Sequence, residues 1–317
     1  MQKGRFATSA LDGRRARDYN SRNEDNAAFA AGGKDMKDPK VLTIQDLSCY
    51  GQCSLTVALP IISACGLETA VIPTAVLSTH TAFKAGWTFR DLTDDIAPIS
   101  DHWVKEALKF DCIYTGYLGS PRQVDLILSI IDRHLANDGA VIVDPAMADG
   151  GKLYAGFAED FPSHMARLCA AADIILPNIT EACLMTGTEF RTEYGVDYIE
   201  SLLRKLAKLG CRNVVLTGVS FEEDKLGVAV YDCAKQETAY YFNPKLPRMS
   251  HGTGDVYASS FTGAYMRGAS IFDSAAIAAD YTVETIRLTM DDDSHWYGVK
   301  FEKALPALAH RIAQLTE

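Results

Sequence analysis

Short runs of β-branched residues alternate with longer segments of helical periodicity along most of this chain, and this alternation is its strongest constraint on the fold. The runs are VLTI at 41–44, AVI at 70–72, CIYT at 112–115, AVIV at 140–143, IIL at 174–176 and NVVL at 213–216. Between them, helical spacing of apolar residues at 126–135 and 199–206 predicts two helices, ended by Gly139 and Gly210. We therefore predict an α/β fold with a mostly parallel central sheet flanked by helices.

Two further runs near the C-terminal third have a different connection. GVAVYD at 227–232 and ETAYYF at 237–242 flank a short polar turn, which is typical of an antiparallel hairpin. A glycine-containing stretch follows the hairpin directly.

The first 38 residues differ from the rest in composition. They mix both charges with Gly, Asn and Ser and show no periodicity, so we expect a disordered N-terminal extension over 1–38 and a single domain over 39–317. Acidic residues from Asp12 onward argue against a transit peptide. An alternative is that Met36 is the true initiator.

Charge and cysteine content exclude several classes of partner. A formal net charge of -10 provides no basic field for long contact with nucleic acid or an anionic membrane, so any phosphate must be bound locally. No apolar run reaches the length of a membrane span, and we expect a cytoplasmic protein. The eight cysteines include no CxxC pair, and the CxxxC pair of Cys49 and Cys53 lacks a second pair with zinc spacing, so we expect reduced thiols.

The stretch SHGTGDVYASSFTGAYMRG at 250–268 carries the strongest chemical signal. Gly252 and Gly254 allow a ligand close to the backbone, and the predicted helix adds the positive end of its dipole, which together indicate an anion hole. Thr253 adds a hydroxyl. Asp255 would repel a bound phosphate unless its carboxylate accepts a proton from an alcohol that attacks the terminal phosphoryl group. The alternative is that Asp255 only caps the helix.

Other polar groups follow the predicted strands, where ligands bind in open α/β sheets. Asp144 and Asp149 follow AVIV, Asn178 and Glu181 follow IIL, and Thr217 follows NVVL. Competing nucleotide signatures are absent, because the sequence contains no GxxxxGK motif, no third glycine after GTG and no HRD and DFG pair.

An ordered series of motifs resembles the ribokinase-like superfamily and, within it, the pyridoxal kinase family. The resemblance covers nearly everything from Val41 onward. Its motifs are IQDLSCYGQCSL, TAVLSTHT, TGYLGS, DPAMADGGKLY, LPNITEA and GTGD. It implies ATP-dependent phosphorylation of the 5′-hydroxymethyl group of pyridoxal, pyridoxine or pyridoxamine, with Mg²⁺ as cofactor and a homodimer as the assembly.

The resemblance also implies roles for individual residues. The anion hole would be Gly252, Thr253 and Gly254, and Asp255 would be the catalytic base. Asp144, Asp149 and Glu181 would surround the magnesium-bound phosphates, directly or through water, while Asn178, Thr217 and Tyr154 would bind ATP. The alternative for the strand-end residues is local capping and loop hydrogen bonding. The acceptor would contact Asp46, Thr74, Val76, His80 and Tyr117, with a purely loop-orienting His80 as the alternative.

Two residues depart from the family pattern. Asp46 stands where the family commonly has serine, and an acid there predicts a preference for pyridoxamine, which carries an ammonium group; the alternative is that Asp46 faces donors of the protein itself. Leu176 replaces a common threonine near a monovalent-cation site, which leaves such a cation an open candidate.

A hydroxymethylpyrimidine kinase is the alternative enzyme, although those enzymes usually carry cysteine at the position of Asp255. A weak vitamer or nucleotide sensor is the alternative outside catalysis.

Overall fold

Parallel strands form the centre of the sheet, as the alternating pattern predicts. The computed structural model describes residues 39–84, 86–247 and 250–315, so the extension expected over 1–38 lies outside the described residues. The strands of the main sheet are β1 Lys40–Ser48, β2 Glu68–Leu77, β3 Phe89–Asp91, β4 Phe110–Thr115, β5 Leu135–Val143, β8 Ile174–Ile175, β9 Asn213–Val219, β10 Lys225–Asp232 and β11 Glu237–Pro244. Their order across the sheet is β11-β10-β9-β8-β5-β4-β1-β2-β3.

The six strands from β9 to β2 pair in parallel, whereas β3 and the β10–β11 hairpin are antiparallel. This arrangement confirms the mostly parallel sheet and the hairpin before the glycine-containing loop. Two very short strands, β6 Ala148–Asp149 and β7 Lys152–Leu153, form a separate ribbon after β5. That ribbon follows Asp144 in the chain and contains Asp149.

Helices cover both faces of the sheet. They are α1 Leu55–Ala64, α2 Thr93–Lys105, α3 Pro121–His134, α4 Phe161–Ala170, α5 Ile179–Thr186, α6 Val196–Ala207, α7 Thr253–Met266, α8 Ile271–Arg287 and α9 Phe301–Ala313. Alternate strand residues face opposite layers: Leu42 and Ile44 of β1 pack with helices α2 to α6, whereas Val41 packs with α1, α7, α8 and α9. None of the helices in the described ranges is long and apolar enough to cross a bilayer.

One helix boundary was predicted wrongly. Helix α3 ends at His134, Leu135 begins β5, and Gly139 lies within that strand rather than at the helix end. The buried His134 ring explains the early end, because it contacts Ser100 Oγ at 2.8 Å and the Leu108 carbonyl at 3.0 Å. Gly139 is needed for close packing, since a Cβ there would lie 3.0 Å from the Asp111 carbonyl oxygen. Gly210 follows α6 with φ 116°, as predicted.

Candidate active site

The glycine-containing loop leads into α7, and its backbone is closely packed at Gly252. Gly252 is the N-cap residue and has φ 74°, and a Cβ there would lie 1.9 Å from the Gln52 carbonyl oxygen, so only glycine fits. A Cβ on Gly254 would meet nothing within 4 Å, which leaves room for a ligand at the first turn. The first N–H groups of a helix have no intrahelical acceptor, and the dipole adds positive potential there. The loop therefore has the geometry of an anion site.

Asp255 lies in that first turn, two residues after the helix begins. Because Gly252 is the N-cap, the alternative of Asp255 as the N-cap residue is wrong. Burial raises the pKa of the Asp255 carboxyl to about 7, a backbone hydrogen bond from Ser54 opposes this rise, and the charge of Asp46 adds to it. A carboxyl that titrates near neutrality is well matched to accepting a proton from an alcohol.

Several other acids lie around Asp255. Asp144 follows β5 and is buried; burial and the charges of Glu181 and Asp255 raise its pKa well above the usual range. Burial also raises the pKa of Glu181 to about 8, although hydrogen bonds from three backbone N–H groups act in the opposite direction. The pKa of Tyr154 is raised by burial and by the charges of these acids and Asp149. The structure thus brings the phenol and the predicted carboxylates together.

Asn178 and Glu181 cap α5 and also bond the loop after β5. They form a capping box at the start of α5, in which Asn178 Oδ1 accepts from the Glu181 N–H at 2.9 Å and Glu181 Oε2 accepts from the Asn178 N–H at 2.8 Å. Glu181 Oε1 accepts from the Met147 N–H at 3.0 Å, and Asn178 Nδ2 donates to the Ala148 carbonyl at 2.8 Å. Both side chains are engaged in the capping and loop bonding considered as their alternative role.

Asp149 and Thr217 are both close to this capping box, because Asp149 follows Ala148, which accepts from Asn178, and Thr217 pairs with Asn178. Asp149 is exposed in β6, and its Oδ1 accepts from the Gly150 N–H at 2.7 Å. Thr217 pairs with Asn178 through an isolated parallel bridge and donates its N–H to the Pro177 carbonyl at 2.9 Å. Asp149 is therefore the most accessible of the predicted metal ligands.

The predicted acceptor residues lie on β1, on β2 and after β4. Thr74 and Val76 belong to β2, and the fully buried Thr74 Oγ1 has no hydrogen-bond partner among the described residues. Tyr117 packs on Phe157 with ring centroids 5.4 Å apart, and its pKa is raised by burial and by the charge of Asp46. Asp46 is buried and accepts from two serines of the protein, Ser48 Oγ at 3.2 Å and Ser54 Oγ at 2.5 Å.

His80 uses both ring nitrogens inside the protein. Its Nδ1 accepts from the Ala82 N–H at 3.3 Å, so Nε2 carries the proton and donates to the Tyr297 carbonyl at 2.8 Å. Burial lowers the pKa of the ring, which keeps it neutral. These contacts favour the loop-orienting role of His80 over direct contact with the acceptor.

Sequence reasoning missed the segment from Asp292 to Lys300. It carries Trp296, whose ring centroid lies 4.6 Å from that of Phe83, and Tyr297, whose carbonyl binds His80. Its ends are joined by an ion pair at 2.6 Å between Lys300 Nζ and Asp292. The only sequence signal was the clustering of aromatic residues in HWYG at 295–298.

Gln52 was also missed. Its Oε1 accepts from His295 Nε2 at 2.8 Å, and its carbonyl packs against Gly252. This residue therefore joins the aromatic segment to the anion loop.

Comparison with known proteins identifies the family. The model described as phosphomethylpyrimidine kinase matches residues 61–298, which is most of the chain. The chain belongs to this kinase family. Pyridoxal kinase from Lactobacillus plantarum is 30% identical, with a TM-score of 0.80 over 87% of this chain and 98% of that one. These matches confirm the resemblance to pyridoxal kinases of the ribokinase-like superfamily.

Two further structures extend the comparison. A candidate phosphomethylpyrimidine kinase from Bacteroides thetaiotaomicron, crystallised with pyridoxal, is 34% identical with a TM-score of 0.82 over 86% of this chain and 96% of that one. Pyridoxal kinase from Leishmania donovani in complex with ADP and pyridoxamine is 18% identical, with a TM-score of 0.76 over 86% of this chain and 96% of that one. The second likeness concerns the fold alone.

Proposed function

We propose that this member of the family is an ATP-dependent kinase that phosphorylates the 5′-hydroxymethyl group of a B6 vitamer. The observation that carries the proposal is the position of Asp255, a carboxyl with a pKa of about 7, directly beside the glycine-lined start of α7. The pyridoxal in the related Bacteroides protein supports the choice of acceptor. The glycine-lined anion site at the start of α7 supports a phosphate donor.

In this mechanism the chain mainly positions the two substrates and neutralises the charge of the phosphates. The N–H groups at the start of α7 bind the phosphates of ATP and stabilise the charge that develops on the transferred group. Asp255 accepts the proton of the attacking hydroxyl as the new P–O bond forms and the bond to ADP breaks. Thr74, Val76 and Tyr117 hold the pyridine ring so that its hydroxymethyl group reaches Asp255.

Mg²⁺ fits the residues present. The charges of Glu181 and Asp255 raise the pKa of Asp144, and the buried carboxylates of Asp144 and Glu181 are costly to ionise without a cation. Both oxygens of Glu181 already accept from backbone N–H groups, so we assign Glu181 a contact through water and Asp144 and Asp149 the closer positions. No group of three or more potential ligands in the described ranges could hold a metal by itself. We infer that the phosphates of ATP complete the site; the ion would supply charge neutralisation for them.

The remaining parts of the proposal concern the cation and the assembly. Leu176 has no side-chain oxygen to offer a monovalent cation, and it is buried in the apolar core that includes α7. Family resemblance supports a homodimer. A hydroxymethylpyrimidine kinase is the second candidate, favoured by the description of the matching family model. The carboxylate at Asp255 favours the B6 vitamers.

A panel of acceptors tests this proposal. ADP release is measured with purified protein, Mg²⁺ and ATP against pyridoxal, pyridoxine, pyridoxamine and hydroxymethylpyrimidine. We expect the highest kcat/KM with one of the three vitamers. Faster turnover of hydroxymethylpyrimidine would support the second candidate, and no turnover of any acceptor would support a sensor.

A further inference from the structure

Ser54 has a backbone conformation that serine rarely adopts. It immediately precedes α1, with φ 56° and ψ -129°, and it is buried. Its side chain does not cap the helix. A non-glycine residue in this region is strained and persists only where the surroundings hold it in place. The contacts of Ser54 therefore need to account for its conformation.

Those contacts connect the buried Asp46 with the half-buried Asp255, which lie on different elements. A backbone hydrogen bond from Ser54 lowers the pKa of the Asp255 carboxyl, so the Ser54 N–H lies close to this carboxylate of α7. The Ser54 hydroxyl donates to Asp46 Oδ1 of β1 at 2.5 Å, while Asp46 Oδ2 accepts from Ser48 Oγ at 3.2 Å. A backbone bridge between Leu47 and Ser54 adds a second attachment to β1. The strained residue is thus fixed to the central sheet and presents its N–H to the proposed base.

The surroundings of Asp255 explain why such a donor is needed. Burial and the charge of Asp46 of β1 raise the pKa of Asp255. The charge of Asp255 in turn raises the pKa values of its acidic neighbours, which are Cys53 before α1, Tyr114 of β4, Asp144 after β5 and Tyr154 after β7. Burial and the charge of Asp46 therefore disfavour the ionised carboxylate of Asp255, which is the form that accepts a proton. A backbone N–H aimed at the carboxylate favours the ionised form and also restricts its rotation.

We propose that Ser54 is a positioning residue for Asp255, with its hydroxyl anchored on Asp46 so that its strained backbone aims the N–H at the base. The inference rests on the proposed role of Asp255 as the base. It also gives Asp46 a function inside the protein, as the anchor of Ser54. Nothing in the local sequence CSLTVA reveals this link, because it depends on a backbone conformation and on a contact 201 residues away in sequence.

The variants Ser54→Gly and Ser54→Ala test the anchor. Glycine tolerates the positive φ and keeps the N–H but removes the hydroxyl, whereas alanine keeps the strain without the anchor. Ser48→Ala is the matched control, since Ser48 also donates to Asp46. The assay uses ATP, Mg²⁺ and the vitamer that the wild type turns over fastest. We expect kcat to fall about tenfold or more in both Ser54 variants, while the KM values for ATP and for the vitamer stay within about twofold of wild type. In Ser48→Ala we expect kcat to stay within about threefold of wild type.

A double-mutant cycle separates positioning from a general structural effect. If Ser54 acts through Asp255, Ser54→Gly changes kcat by no more than about twofold when Asp255 is already Asn. An equal loss in both backgrounds, or a Ser54→Gly enzyme with kcat within twofold of wild type, overturns the proposal. If Ser54→Gly does not fold, the same cycle is run with Ser54→Ala. Failure of the proposed function would be distinguishable from this result. The wild type would then phosphorylate no vitamer, or Asp255→Asn by itself would keep most of its kcat.

Discussion

Among single residues, the proposed mechanism depends most on the Asp255 carboxyl, which is costly to ionise in the folded protein. The folded-state pKa of Asp255 is about 7, above the usual value near 4, so the native state holds this proton more tightly than the unfolded chain. This group therefore lowers stability progressively as pH rises from about 4 to about 7, and the loss is complete above pH 7. A residue that destabilises its fold at working pH is typical of a functional site.

Asp255→Asn should therefore stabilise the protein without ligands, and more so at high pH. We expect the gain in Tm over wild type to be larger at pH 8 than at pH 5 by about 3 °C or more. Differential scanning fluorimetry of both proteins at the two pH values measures it, with the exposed Asp138→Asn as a control that shows no such difference. Equal gains at pH 5 and pH 8 would mean that the Asp255 pKa is not raised.

Asp46 allows a second prediction at this scale. An acid near the pyridine ring predicted a preference for pyridoxamine, but both carboxylate oxygens accept from serines of the protein. We now expect Asp46→Ser to lower kcat/KM for all three vitamers in parallel and to leave their ratios within about threefold. Specificity constants for the three vitamers on both proteins measure this. A shift of about tenfold toward pyridoxal, or about 1.4 kcal/mol, would restore direct contact with the acceptor.

At the scale of elements, the start of α7 combines two demands on glycine. A Cβ at Gly252 would be strained at φ 74° and would overlap the Gln52 carbonyl, whereas a Cβ at Gly254 would enter open space. Gly252→Ala should lower Tm by several degrees and Gly254→Ala should not, while both should weaken ATP binding at least tenfold because each alters the anion site. Thermal melts and ATP titrations of the two variants measure these effects. Equal Tm values would contradict the steric argument.

Sequence patterns predicted the elements that pack by simple periodicity. The six parallel strands and the β10–β11 hairpin follow from β-branched runs, since a buried strand needs only apolar side chains of the right shape. The boundary at His134 was missed because a buried histidine bonded to Ser100 ended the helix, and an isolated sequence does not reveal such a tertiary partner. Ser54 and Gln52 were missed for the same reason.

At the scale of the whole molecule, the site forms where separate strands and loops meet. Asp46 in β1, Asp144 after β5 and Asp255 after β11 are far apart in sequence, and the parallel order of the sheet brings their carboxylates within electrostatic reach. The resemblance named these residues, but it could not give their hydrogen bonds. The engagement of Asn178 and Glu181 in a capping box required the structure.

The N-terminal residues give a prediction at this scale. Residues 1–35 have no apolar periodicity with which to join a core, so their removal should leave Tm and turnover unchanged. Thermal melts and ATP-dependent turnover of the truncated and full chains measure this. A large loss of either quantity would show that the extension contributes to the folded domain or its site.

We propose Asp255 as the base of a B6 vitamer kinase, and the rate of 5′-phosphate formation by Asp255→Asn tests that role. The substitution keeps the size of the side chain and removes the proton acceptor. With saturating ATP, Mg²⁺ and the preferred vitamer, we expect kcat to fall about a hundredfold or more while ATP affinity stays close to that of the wild type. An Asp255→Asn enzyme that retains most of its kcat would contradict the account.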